Sequence, residues 1–358
     1  MLFRSRSAPG RPDPHQRPGL MSSFDYLEYR LRFPGPLQLH RDASRPGDPP
    51  SVPSDLLYAA LDRARGELGL SEGLIGRVRV SSAFLFTDRL GALAPLLGVD
   101  RSLSWVSVAY PEAGDQRPAL LSAWTRVDHP RAQFDRVRGR AAGRFATPEV
   151  RFAANAGLWV AVRFLEPETA ESDRRDVEAA LRYLGDTGLG GGRSVGAGRF
   201  ELLNATPVPE QESGEGAASG SGERGGSKPS ESLWVWSRFR ATSDERTGEW
   251  WKRTEARVRW ESWRTPQTAA SSGPGSSAKG AGEIWRFIGP GSVVPTEPAL
   301  PFDPRRAGAQ EAIVAADTGR TLTRTGFLFA VPAPVPSPTA ASLGRAEDAV
   351  TSKPTSTT

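Results

Sequence analysis

Hydrophobic and polar positions in the first half of the chain alternate between strand-like and helix-like patterns. Residues Tyr29–Phe33 alternate apolar and charged side chains, which predicts a half-buried strand. Apolar residues then recur at helical spacing from Leu56 to Leu68, and Ser54 is positioned to cap the start of that helix. A strand followed by an amphipathic helix is therefore predicted at the start of the patterned region.

The same two patterns return further along the chain. We predict strands at 75–80 and at Leu158–Phe164, a helix at 172–185 and a further strand that begins at Arg199. The order strand–helix–strand, followed again by strand–helix–strand, is that of a ferredoxin-like βαββαβ domain. The pattern thus predicts an α+β fold with one such domain over residues 23–208.

The region 233–331 is patterned differently, with short apolar runs separated by turns. It holds most of the tryptophans, which we predict to fill the core of a small sheet rather than to stack on bases. They are residues Trp234, Trp236, Trp250, Trp251, Trp260, Trp263 and Trp285.

Four segments have compositions that bury too little apolar surface to offset the entropy of ordering. They are a predicted disordered arm at 1–22, a flexible linker at 209–232, an insertion at 266–282 and a tail at 332–358. The linker separates the two patterned regions and is the predicted domain boundary.

The composition narrows the possible chemistry. The chain has 358 residues, a formal net charge of +5, no cysteine and three histidines, which excludes thiol nucleophiles and argues against metal sites or cofactors. Of its 46 basic residues only four are lysine, and arginine suits phosphate recognition, although a high-GC genome produces the same bias. No apolar run approaches the ~18 residues of a membrane span, so a soluble, cytoplasmic protein without a membrane partner is expected.

The densest motif is the glycine-rich segment 185–198 (GDTGLGGGRSVGAG), in which seven of fourteen residues are glycine. It lacks the Lys-Ser/Thr pair of a Walker loop and the spacing of a dinucleotide loop, and it connects a predicted helix to a predicted strand. Glycines allow main-chain N–H groups to approach a phosphate backbone, and Arg193 and Ser194 add further donors. The alternative is a long helix C-cap, and seven glycines exceed what a cap requires.

The loop and several short segments together resemble the RAMP (repeat-associated mysterious protein) superfamily of CRISPR systems. Their order along the chain is similar to that of the fourth subunit of the type III-A (Csm-type) interference complex. The segments are Leu37–His40, Pro53–Tyr58, Ser81–Phe84, Phe134–Arg138, Ala156–Trp159, Ile284–Val294 and Arg324–Phe327.

This resemblance implies two ferredoxin-like (RRM-like) domains, at 23–208 and 233–331. It also implies a non-catalytic subunit that holds the repeat-derived 5′ tag of the CRISPR RNA (crRNA). The implied protein partners are the large polymerase-like subunit and a backbone RAMP subunit. The insertions at 209–232 and 266–282 look longer than the family needs.

A basic segment at 130–144 carries five arginines against one acid and accounts for the net charge of the part predicted to fold. Gly139 and Gly143 allow a turn, so the segment fits an inserted, arginine-lined hairpin along an RNA backbone. In the family it resembles the thumb hairpin that contacts the guide RNA. The alternative is a solvated loop without a partner.

The sequence is also compatible with two other functions. One is a metal-independent CRISPR-repeat endoribonuclease, for which His40 or His129 would have to act as the general base. The other is the equivalent subunit of a type III-B complex. For the favoured function the predicted RNA-contacting residues are Gly188, Gly190, Gly191, Gly192, Arg193, Ser194, Gly196, Gly198, Arg131, Arg136, Arg138, Arg140, His40, Ser54 and Ser82.

Overall fold

A computed structural model describes most of the two patterned regions. The predicted arm 1–22 and insertion 266–282 lie outside the described residues, as do nearly all of the predicted linker and tail. The described residues are 26–39, 48–70, 74–98, 102–135, 137, 139–203, 205–208, 232–242, 258–264, 284–295, 307–314 and 321–333.

These residues form an α+β structure of antiparallel sheets with few helices, which confirms the predicted fold class at that level. The helices are α1 (Ser54–Leu68), α2 (Leu74–Arg77), α3 (Arg117–Leu120) and α4 (Ala170–Thr187). The strands are β1 (Tyr26–Arg32), β2 (Leu37–Gln38), β3 (Val78–Val80), β4 (Phe84–Thr87), β5 (Gly91–Leu97), β6 (Leu103–Ser107), β7 (Trp124–Asp135), β8 (Arg140–Phe152), β9 (Ala156–Phe164), β10 (Glu201–Leu202), β11 (Thr206–Val208), β12 (Ser232–Val235), β13 (Trp260–Arg264), β14 (Ile284–Ile288), β15 (Val293–Pro295), β16 (Gly308–Val314), β17 (Thr321–Phe327) and β18 (Ala330–Pro332).

The largest sheet has the order β10-β1-β9-β4-β5-β6, with β3 also paired to β9 and β11 to β1. Strand β1 shows the predicted alternation, because Tyr29 and Leu31 are fully buried while Arg30 and Arg32 remain partly exposed. Strand β9 is buried along almost its whole length, since it lies in the middle of the sheet.

Helices α1 and α4 pack against each other and cover one face of this sheet. The predicted apolar side of α4 is confirmed, because Val177, Leu181 and Leu184 are all buried. The predicted cap is wrong: α1 begins at Ser54 itself, with Pro53 at the N-cap and no side-chain cap.

The regular secondary structure of the described residues from 232 to 333 consists of strands, in the sheets β15-β12-β18, β13-β14 and β16-β17. Trp234 and Trp236 are buried, as predicted for core residues, whereas Trp260 is 37% exposed. Trp250 and Trp251 lie outside the described residues. The core role predicted for the tryptophans therefore holds at 234 and 236, and Trp260 is covered only in part. The side chains of Trp263 and Trp285 lie outside what the structure describes.

These two tryptophans share a core with the first region. The ring of Trp236 lies 5.2 Å from that of Trp159 on β9 and 5.6 Å from that of Tyr26 on β1, with edge-to-face geometry in both pairs. The indole N–H of Trp234 donates to the Pro95 carbonyl at 2.7 Å. Aromatic pairs of this kind add about 1 kcal/mol each beyond the apolar area that they bury. The two patterned regions are thus joined by a common hydrophobic core.

A buried polar cluster reinforces this joint. The guanidinium of Arg238 contacts Glu261 at 2.6 Å and the fully buried Asp55 at 3.4 Å. Burial lowers the pKa of Arg238, but the charges of Glu261 and Asp55 outweigh that effect and raise it above its ordinary value. Ser82 donates its N–H to the Trp236 carbonyl at 2.7 Å.

Candidate nucleic-acid interface

The glycine loop follows α4 and folds back on the end of the main sheet. The Gly188 N–H donates to the Leu184 carbonyl and closes the helix, and the Leu189 N–H donates to the Gly198 carbonyl across the loop. The Gly198 N–H donates to the Pro36 carbonyl at 2.8 Å. The two ends of the loop are therefore anchored to the body of the protein.

The loop glycines fall into two groups. Gly188 and Gly198 are buried, and a Cβ atom on either would meet a backbone carbonyl, that of Ala197 or of Leu189 respectively. Both residues also have positive φ angles, which residues other than glycine rarely adopt. These two glycines serve the fold of the loop.

The middle of the loop is accessible. Gly190, Gly191 and Ser194 are exposed. A Cβ atom on Gly190 would meet the Gln38 carbonyl oxygen, whereas Gly191 has only ordinary van der Waals neighbours around a built Cβ. Within the described part of the chain, the N–H groups of Gly192, Arg193 and Ser194 donate to no acceptor. Gly192 and Arg193 are partly exposed and Ser194 is exposed, so these three consecutive main-chain donors form an arrangement that can receive a phosphate oxygen.

Arg193 lies near an acid on α1. The Tyr183 hydroxyl donates to Glu67 at 2.6 Å and Arg63 donates to the other carboxylate oxygen at 2.8 Å. The hydrogen bond from Tyr183 is the main cause that lowers the pKa of Glu67, and the charges of Arg63 and Arg193 act in the same direction. An ionised Glu67 therefore partly balances the positive charge of Arg193.

The basic segment forms a hairpin, as predicted, but one much longer than the sequence indicated. Strands β7 and β8 pair antiparallel from Trp124 opposite Phe152 to Asp135 opposite Arg140, with a register shift after Gln133. Gly139 in the connection has φ +64°. At the base of the hairpin Phe152 stacks on Phe33, with ring centroids 5.2 Å apart, so the hairpin is rooted in the core.

Of the four predicted hairpin arginines, Arg131 lies in β7 and Arg140 in β8, while Arg136 and Arg138 lie outside the described residues. His40 also lies outside them. His129 is exposed on β7, opposite Thr147.

Ser54 and Ser82 are placed in the interior, each 1% exposed. The Ser82 hydroxyl accepts the Ser54 N–H at 3.1 Å, and the Ser54 hydroxyl accepts the Arg238 N–H at 3.0 Å. Both hydroxyl groups therefore act in the joint between the two regions, and we leave them out of the proposed RNA-contacting set.

Strand β2 connects the loop to the hairpin. It pairs with β8 through Leu37 opposite Val150 and Gln38 opposite Glu149. On its other side, the Gln38 carbonyl accepts the Gly191 N–H at 2.9 Å. The glycine loop and the hairpin are thus two neighbours of one short strand, a connection that no pattern in the sequence indicated.

Among the described residues, no group of three or more His, Asp or Glu side chains is arranged to hold a metal ion. In the same part of the chain, no helix combines the length and apolar character needed to cross a membrane.

The known proteins to which this chain is similar are proteins of CRISPR systems. No family model matches the chain. A chain in the crystal structure of a Csm3–Csm4 subcomplex of the type III-A CRISPR-Cas interference complex is similar in fold, with a TM-score of 0.51 and 11% identity over 87% of this chain and all of that one. A second structural neighbour comes from a Csm1–Csm4 cassette in complex with AMPPNP, with a TM-score of 0.46, 16% identity and coverage of 87% of this chain and 99% of that chain.

In sequence, the chain is similar to the CRISPR protein Csm4. The chain is 28% identical over 182 residues to the CRISPR system Cms protein Csm4 of Thermococcus onnurineus (strain NA1). The match covers 42% of this chain and 61% of that relative, which is less than two thirds of its length. The predicted resemblance to Csm4 is therefore confirmed, in sequence by this relative and in fold by the Csm3–Csm4 structure.

Proposed function

We propose that the chain is a non-catalytic, RNA-binding subunit of a type III-A CRISPR effector complex that holds the repeat-derived 5′ tag of the crRNA. The observation that carries the proposal is the position of β2, which is hydrogen-bonded to the glycine loop and to the basic hairpin. One RNA strand can therefore follow a continuous path over both elements.

The two elements supply complementary contacts. The exposed tip of the loop offers the free N–H groups of residues 192–194, and these can position a phosphate without reading a base. The hairpin segment supplies a local excess of arginine, which attracts the RNA backbone over a longer distance. The proposed contacts are Gly190, Gly191, Gly192, Arg193, Ser194, Gly196, Arg131, Arg136, Arg138, Arg140 and His40.

The proposed domain fold is ferredoxin-like over residues 23–208. Six elements follow one another in the chain order β1, α1, β3, β9, α4 and β10, with β2, α2 and the elements from β4 to β8 inserted between them. In the sheet, β10, β1, β9 and β3 are neighbours in that order. This order supports the proposed βαββαβ unit with both helices on one face. For residues 233–331 the ferredoxin-like fold rests on the resemblance alone.

The proposed partners follow from the same similarity. Csm4 occurs in structures of a Csm1–Csm4 cassette and a Csm3–Csm4 subcomplex. We therefore propose that this chain docks to a large Csm1-like subunit and to a Csm3-like backbone subunit, in the cytoplasm, and that it does not cleave RNA.

Ultraviolet crosslinking to a synthetic crRNA with a labelled 5′ tag tests the proposed RNA path. Peptides that contain residues 188–198 and peptides that contain residues 131–140 are both expected to crosslink to the tag or to the nucleotides next to it. An RNA of equal length with a scrambled 5′ end serves as the control for general charge attraction. Crosslinks confined to other parts of the chain would contradict the proposed path.

A further inference from the structure

We infer that Gln38 and Glu149 form a positioning pair that holds the glycine loop in a fixed relation to the basic hairpin. The inference rests on the proposed function, because it explains how two separate elements present one surface to a single RNA strand. The sequence does not indicate that the two residues pair, because 111 positions separate them.

Gln38 contacts the loop through its backbone and its side chain. Its carbonyl accepts the Gly191 N–H at 2.9 Å. A Cβ atom on Gly192 would lie only 2.5 Å from the Gln38 Oε1 atom, so the amide is packed directly against the loop. The position of this side chain therefore limits where the exposed tip can lie.

The same amide reaches the hairpin. The Gln38 Nε2 group donates to Glu149 Oε1 at 3.1 Å, and the two residues face each other in the β2–β8 pairing. Gln38 is 8% exposed and Glu149 is 4% exposed, so this hydrogen bond is shielded from water. On the hairpin side, the exposed Arg151 lies 4.0 Å from the Glu149 carboxylate.

The chemistry of the pair fixes the direction of the amide. The Gln38 NH₂ group donates to Glu149, while the whole amide packs against Gly192, where a built Cβ would lie 2.5 Å from the Gln38 oxygen and 2.8 Å from its nitrogen. Hydrogen bonds to a carboxylate are also stronger than those between neutral groups. A glutamate at 38 would place two carboxylates against each other, and alanine would remove the contact.

A rigid connection of this kind affects binding directly. When two contact surfaces are held at the correct spacing, the second contact forms within the complex, and less freedom is lost on binding. If the loop could move relative to the hairpin, the RNA would engage the two elements one at a time.

The reciprocal swap of the two side chains tests this inference. In the free protein, Gln38→Glu is expected to raise the exchange rate of the Gly191 amide hydrogen at least tenfold. The double variant Gln38→Glu/Glu149→Gln restores a donor and an acceptor and is expected to return the rate to within about twofold. Gln38→Ala adds no charge and is expected to raise the rate as well, which keeps the test valid if Gln38→Glu does not fold.

A second readout is the affinity for a single-stranded RNA that carries the 5′ tag. Gln38→Glu is expected to weaken binding about tenfold and to reduce its salt dependence, and the swap is expected to restore both. Ser172→Glu adds the same charge near the start of α4, about 24 Å along the helix from the loop, and is the matched control.

The outcomes separate the two proposals. Exchange at Gly191 that does not respond to Gln38→Glu, or that rises equally in the swapped variant, would overturn the positioning pair. Restored exchange without restored RNA affinity would overturn its role in binding. If the wild-type protein binds no RNA while the exchange rates behave as expected, the proposed function fails and the link between loop and hairpin stands.

Discussion

Replacement of Arg136, Arg138 and Arg140 by glutamine is expected to weaken binding of single-stranded RNA about 50-fold at 0.15 M salt. Each cation that contacts a phosphate releases a condensed counterion, so the loss of three contacts lowers the slope of log K against log salt concentration by about 2. If the two proteins bind equally at about 1 M salt, this smaller slope corresponds to the expected loss of affinity at 0.15 M. Filter binding at four or five salt concentrations measures both quantities.

The control for this prediction removes the same charge from other surfaces. Arg117, Arg174 and Arg175 are exposed and each pairs with an acid near it in sequence, Asp115, Glu178 and Glu171 respectively. Their joint replacement by glutamine is expected to change affinity by less than about threefold, because such surface pairs contribute little. Equal losses in the two triple variants would mean that the hairpin has no special role.

Trp236→Ala is expected to lower the free energy of unfolding by about 4 kcal/mol, as large truncations in a core do. Trp236 is 1% exposed and stacks on Phe329 at 6.0 Å, in addition to its contacts with Tyr26 and Trp159. Because these rings come from both patterned regions, the cavity opens between the two rather than within one. Denaturant unfolding followed by tryptophan fluorescence and by circular dichroism measures the change.

The matched control is Trp236→Phe. The indole N–H of Trp236 has no acceptor among the described residues, so phenylalanine loses some packing but no hydrogen bond. A cost below about 1.5 kcal/mol is expected. Two separate unfolding transitions, of which Trp236→Ala shifts only one, would show that the two regions do not share a core.

The elements that could be predicted from sequence are those with a local pattern. Helix α4 and strand β1 carry periodic apolar residues that face one core, and the periods of 3.6 and 2 are visible without knowledge of the partners. The glycine loop was recognisable because its composition is unusual. These features were enough to indicate the fold class and the family resemblance.

The features that could not be predicted depend on distant partners. Ser54 looks like a helix cap, but its hydroxyl is used by Arg238, which is 184 positions away in the chain. The long strands of the hairpin contain Pro130 and Pro148, residues that usually argue against a strand. Pro130 lies in β7, which is at the edge of its sheet, so it interrupts no pairing on the outer side. Pro148 lies in β8, which pairs with β2 only at 149 and 150, so it does not interrupt that pairing.

The joint between the two patterned regions could not be predicted from the sequence either. A Gly/Ser/Glu-rich segment separates them in sequence, which favours independent domains, and the tryptophans indicated only that some core exists. Which core they enter is decided by their contacts with Tyr26 and Trp159, and no local period encodes such contacts.

The central claim is that this chain holds the repeat-derived 5′ tag of a crRNA within a type III-A complex. The most direct measurement is to purify the tagged full-length chain from its native cells, identify the proteins that accompany it and sequence the 5′ ends of the bound RNA. We expect Csm1-like and Csm3-like partners and RNAs with one uniform, repeat-derived 5′ end. Random RNA ends, no RNA, or the partner set of a type III-B complex would contradict the claim.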